Sequence, residues 1–85
     1  MQARRANPYK KYVEVGADHR LDGRILPLWF RPEDGDKVVI DRITDIRQAA
    51  SLKAGGQGMR YTCMVEGQEV YLFHDREEWF VETQQ

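Results

Sequence analysis

Eighty-five residues, 41% of them hydrophobic and 32% charged, provide one thin core and too little chain for a two-domain enzyme with a cleft between its lobes. The single cysteine excludes an intrachain disulfide and a cysteine-rich zinc site. No apolar run approaches the ~20 residues of a membrane-spanning helix, and no charged-then-apolar leader opens the chain, so a reducing, cytoplasmic setting is expected.

The net charge of −1 is unevenly spread. Residues 1–31 carry seven basic and three acidic groups, residues 32–60 five of each, and residues 61–85 one basic and six acidic groups. A chain polarised in this way can fold into a polarised surface.

Met1–Pro8 reads as a flexible basic arm, and 9–85 as one small β domain. Tyr9–Ala17 alternates as a strand with Val13, Val15 and Ala17 inward. Asp18–Gly23 is a turn cluster. Arg24–Phe30 forms a second strand, with Ile25, Pro27 and Trp29 on one face and Leu26, Leu28 and Phe30 on the other. Proline cannot donate a ladder hydrogen bond, so this strand is an edge at Pro27 or carries a bulge. Pro32–Asp36 is a turn, and Lys37–Ile43 a β-branched strand expected at the centre of the sheet.

Thr44–Gly58 reads two ways. Ile43, Ile46 and Ala50 recur at helical spacing, with Thr44 or Asp45 as cap and Gly55 as terminator, which predicts a short helix. An irregular ordered loop is the alternative. Gly55-Gly56-Gln57-Gly58 is a flexible connection in either case.

Residues 59–85 read as a hairpin and a final strand. Gly67-Gln68 suits a two-residue turn, which pairs Glu66 with Glu69, Val65 with Val70, Cys63 with Leu72, Tyr61 with His74 and Arg60 with Asp75. Tyr61, Cys63, Val65, Val70, Leu72 and His74 then form the core face. Arg60, Thr62, Met64, Tyr71 and Phe73 form an outer face in need of cover. Trp79 and Val81 share one face of the last strand.

Together these elements predict a mostly β fold: a small antiparallel barrel or strongly bent sheet of five to six strands, with at most one short helix. An SH3-like barrel fits first, a curved meander with one packed helix second, and an OB-like barrel third.

No catalytic constellation stands out. Asp18-His19 and Asp75-His74 are neighbours in sequence, but adjacent strand residues point to opposite faces, so Asp75 does not orient His74 for acid–base work. The two histidines lack metal-ligand spacing. Cys63 falls on the core face and reads as an inert small hydrophobe. The glycine run lacks the Lys-Ser/Thr that a phosphate-binding loop places after it. A non-enzymatic role with no cofactor is expected.

The basic groups are the better lead. Arg42, Arg47, Lys53 and Arg60 bracket the central segment, and aromatics stand nearby to stack on bases or on a peptide. They are the candidate contacts to nucleic acid or to a protein partner. The alternative is a self-associating protein, a homodimer, with Trp29, Phe30, Tyr71 and Phe73 left partly uncovered.

The order Asp22-Gly23-x-x-x-Pro27, a Gly35 turn, Val38-x-Ile40-Asp41-Arg42-Ile43, Arg60-Tyr61, Glu69-x-Tyr71-Leu72-Phe73 and Trp79-Phe80-Val81-Glu82 resembles small bacterial β domains without an assigned activity, over residues 9–83. It is loosely similar, in spaced aromatics and glycines, to a small domain found with bacterial translesion-polymerase accessory proteins. That resemblance implies a bacterial cytoplasmic accessory role and carries over no functional residues.

Overall fold

A computed structural model describes residues 10–50 and 57–82. The basic arm, Lys53 and the first glycines of the run lie outside them. Among the described residues seven strands form one curled antiparallel sheet, a half-barrel: β1 (Lys10–His19), β2 (Ile25–Pro32), β3 (Val38–Val39), β4 (Arg42–Ala50), β5 (Gln57–Val65), β6 (Gln68–Asp75) and β7 (Glu78–Glu82). Their order across the sheet is β3-β2-β1-β7-β6-β5-β4. The described residues contain no helix.

The expected central strand over Lys37–Ile43 is instead split between the two edges of the sheet. β3 pairs with β2 at one edge, and β4 with β5 at the other. Ile40 and Asp41 join them. The Ile40 amide donates to Leu28 O at 3.0 Å and the Asp41 amide to Met64 O at 2.8 Å. One continuous run of chain therefore ties both edges together, and this curls the sheet. Across the enclosed space, the Tyr61 hydroxyl donates to Ile25 O at 2.7 Å, linking β5 to β2.

Two bulges set which side chains face inward. Thr44 is skipped in the β4–β5 register, where Ile43 lies opposite Cys63 and Asp45 opposite Thr62. The extra residue brings Ile43 and Ile46, three apart, onto the same inner face. The expected helix is thus overturned over residues 44–50, because a bulged strand reproduces the helical spacing that suggested it; residues 51–56 lie outside the described residues. Leu28 is skipped in the same way between β1 and β2, where Gly16 lies opposite Trp29 and Ala17 opposite Pro27. This corrects the strict alternation expected for β2: Pro27 and Phe30 are both buried, while Trp29 turns outward. The bulge expected at the proline is present beside it.

The hairpin turn sits one residue earlier than expected. Glu66 and Gly67 both take positive φ, 51° and 81°, as a two-residue type I′ turn requires. Val65 then pairs with Gln68, Cys63 with Val70 and Tyr61 with Leu72. Partners move by two positions, so every side chain keeps its face. The Glu66 amide donates to the Asp41 carboxylate at 2.9 Å, fixing the turn to the β3–β4 joint.

The inner face is apolar. Phe30, Tyr61, Cys63 and Leu72 are buried, with Val13, Val15, Val38, Ile43, Trp79 and Val81 packed around them. A second buried group lies on the outer face. Phe73 and Phe80 are 2% and 1% exposed, and their rings stack with centroids 5.1 Å apart and planes at 6°. Tyr12 meets Phe80 edge-on at 6.0 Å.

Candidate nucleic-acid interface

The register brings three of the four candidate cations onto one surface. Arg42 lies opposite Met64, Asp45 opposite Thr62 and Arg47 opposite Arg60. Because of the Thr44 bulge, all of these side chains share the outer face of β4 and β5. Lys53 lies outside the described residues. The opposite-charge pairing expected for Arg60 and Asp75 is replaced: Arg60 stands between Arg47 on β4 and Phe73 on β6.

Carried across the sheet, this register makes a single row of Arg47, Arg60, Phe73, Phe80 and Tyr12. Two like charges sit directly opposite at one end. Like charges directly opposite in a sheet repel, here through solvent on the Arg47 side. Each arginine is partly compensated. Arg47 Nε donates to Asp45 Oδ2 at 2.8 Å, and its side chain is 61% exposed. This hydrogen bond and the Asp45 charge hold its guanidinium above its ordinary pKa, with a smaller contribution from Tyr71. The Arg60 guanidinium lies over the Tyr71 ring, 4.6 Å from its centroid. Its Nε is enclosed and has no acceptor. Buried donors are nearly always paired, so Arg60 holds an unused hydrogen-bond donor at a position opposite a second arginine. Tyr71 is 40% exposed and leaves ring surface open beside it.

The histidines and the cysteine do different work. His74 stacks on Trp79 at 3.9 Å with planes at 3°. It lines a cleft of 260 Å³ at one end of the half-barrel with Ile25, Ile46, Met59 and Tyr61. Desolvation holds His74 below its ordinary pKa, Asp75 opposes that shift, and the charge of His19 adds to it. Burial pushes the Cys63 thiol up to about 11 and raises Tyr61 as well. Cys63 is thus enclosed as a neutral thiol. Among the described residues no group of three or more His, Cys, Asp or Glu is placed to hold a metal ion, and there is no helix long and apolar enough to cross a membrane.

These shifts predict a stability plateau. Neutral His74 contributes stability that is present above pH 6.5, its ordinary value, and is lost as pH falls through its lower folded value. Protonated Cys63 contributes stability that is present below pH 9.0 and lost as pH rises towards about 11. Urea midpoints measured across pH should therefore be highest between these limits, and His74→Phe should flatten the acid side. An acid limb unchanged in His74→Phe would remove His74 from the account.

No protein family, curated protein or solved structure matches the chain.

Proposed function

We propose that the domain is a non-enzymatic, SH3-like binding module of the bacterial cytoplasm that takes single-stranded nucleic acid on the outer face of β4–β6. The observation that carries this reading is the Arg47–Arg60 pair: two arginines at directly opposed positions of β4 and β5, with the Arg60 Nε unpartnered and Arg60 stacked on a part-exposed tyrosine. A phosphate offers acceptors to both cations and relieves their repulsion. Tyr71 supplies a ring face on which an unpaired base can stack. Arg42 extends the same face by four residues of β5, roughly 13 Å at strand rise.

Asp45 and Glu69 share this face, opposite Thr62 and Met64, so the surface is only modestly basic. Binding would rest on a few arginine contacts rather than on a broad positive field. Three neutralised phosphates give a slope of log K against log salt of about −2 for a single strand. Fluorescence-anisotropy titration of labelled homopolymeric DNA and RNA oligonucleotides over a range of salt should return that slope. Combined Arg47→Glu and Arg60→Glu should abolish binding. An absence of salt-sensitive binding at low ionic strength would overturn the proposal.

Self-association is favoured by one observation, the 61% exposure of Val39 on the two-residue edge strand β3. Light scattering that shows a monomer from micromolar to millimolar concentration would rule it out.

A further inference from the structure

The outer surface carries a second aromatic group outside the β4–β6 face. Trp29 projects outward from β2 and lies flat over Gly16 on β1. A Cβ at position 16 would come within 2.2 Å of the indole Nε1, so the glycine provides a seat for the ring that no other residue could. Two cations flank the indole: Lys37 Nζ lies 4.7 Å from the ring centroid and Arg31 Cζ 5.9 Å. The side chain of Arg31 is held by Glu14, whereas Lys37 is exposed.

This group is connected to the arginine face through the joint of the half-barrel. Trp29 lies opposite Val39, and Arg42 follows Val39 by three residues on the chain, about 10 Å at most. Arg42 lies opposite Met64, two residues along β5 from the Thr62–Tyr71 row. The route from Trp29 past Arg42 to Tyr71 is therefore at most about 27 Å long. Six nucleotides at the 3.4 Å spacing of a fully stacked strand cover about 20 Å, and the unstacking that insertion over Trp29 and Tyr71 requires lengthens the strand beyond that.

We infer that Trp29 is a second base-stacking position for the same single strand, with Lys37 and Arg31 receiving its phosphates and Arg42 bridging to the Arg47–Arg60 pair. A base entering over the indole displaces the Lys37 ammonium from the ring and leaves it beside the adjoining phosphate. Charge complementarity and the part-exposed ring select the occupant: a chain with planar groups and regularly spaced anions. This inference rests on the nucleic-acid reading of the arginine face, and its test separates the two.

Trimer and hexamer oligonucleotides are titrated into the full chain, with Trp29 emission read in a Trp79→Phe background. If that variant unfolds, ¹⁹F resonances of 5-fluorotryptophan in the otherwise unchanged protein replace it. The hexamer should bind about tenfold or more tightly than the trimer and quench Trp29, since one stacked base contributes a factor of that order. Trp29→Leu and, independently, the exposed Lys37→Ala should each remove much of the gain. Tight hexamer binding with an unresponsive Trp29 and no effect of either variant overturns this inference and leaves the Arg47–Arg60 reading intact. A responsive Trp29 in a protein indifferent to reversal of Arg47 and Arg60 does the opposite. An absence of binding by either oligonucleotide overturns both.

Discussion

Phe80→Ala should cost about 3–5 kcal/mol, a large share of the roughly 5–15 kcal/mol typical of a small domain. Phe80 lies on the outer face of the sheet, where a residue of an open half-barrel would ordinarily be wet. It is nevertheless 1% exposed, stacked on Phe73 and met edge-on by Tyr12. Truncation removes one of the largest fully buried side chains and leaves a cavity between two aromatic rings. Thermal unfolding should shift down by roughly 15 °C or more, and the urea midpoint should fall with its slope unchanged. Phe73→Ala should be similarly costly. The double variant should cost less than the sum by roughly 0.5–1.5 kcal/mol, the range of an aromatic pair. Tyr71 lies on the same face but is 40% exposed, so Tyr71→Ala should cost far less stability while weakening nucleic-acid binding. A loss below about 1 kcal/mol for Phe80→Ala would mean that the outer aromatics are not a packed layer.

That aromatic layer shows where the sequence was legible and where it was not. The core side of β5–β7 could be read from alternation alone, because a shift of the partner by two positions preserves the face. Tyr61, Cys63, Leu72, Trp79 and Val81 therefore fell correctly despite the misplaced turn. The turn was missed because glycine was expected to lead it. A type I′ turn accepts Glu66 at positive φ when glycine follows.

The segment after Ile43 was harder for a different reason. A bulge at Thr44 puts Ile43 and Ile46 on one side of a strand, and in one dimension this is indistinguishable from one turn of helix. What distinguishes them is the β-branched run Ile43-Thr44-x-Ile46, which favours a strand. The arginine pair could not have been found without that strand. Arg47 and Arg60 are thirteen positions apart, and only the β4–β5 ladder sets them face to face. The Trp29–Gly16 seat is hidden for a similar reason: it depends on a cross-strand register interrupted by the Leu28 bulge.

Arg60→Met should move stability and binding in opposite directions. Methionine keeps an unbranched apolar stem beside Tyr71 and removes three features of the arginine. Loss of the enclosed, unpartnered Nε relieves a penalty of about 1–3 kcal/mol. Loss of the charge opposite Arg47 relieves a solvent-screened repulsion between like charges. Loss of the contact with the Tyr71 ring costs roughly 0.5–1 kcal/mol at a site of this exposure. The net expectation is a gain of about 1 kcal/mol in unfolding free energy. Affinity for a single strand should fall about tenfold or more, since a charge-assisted hydrogen bond is worth roughly 1.5–3 kcal/mol. The salt slope should become shallower by about 0.7. Opposite signs are the signature of a residue kept for its ligand at the expense of the fold. If Arg60→Met instead destabilises the domain and leaves binding and its salt dependence unchanged, Arg60 serves the sheet through Tyr71, and the arginine pair loses its claim to a phosphate.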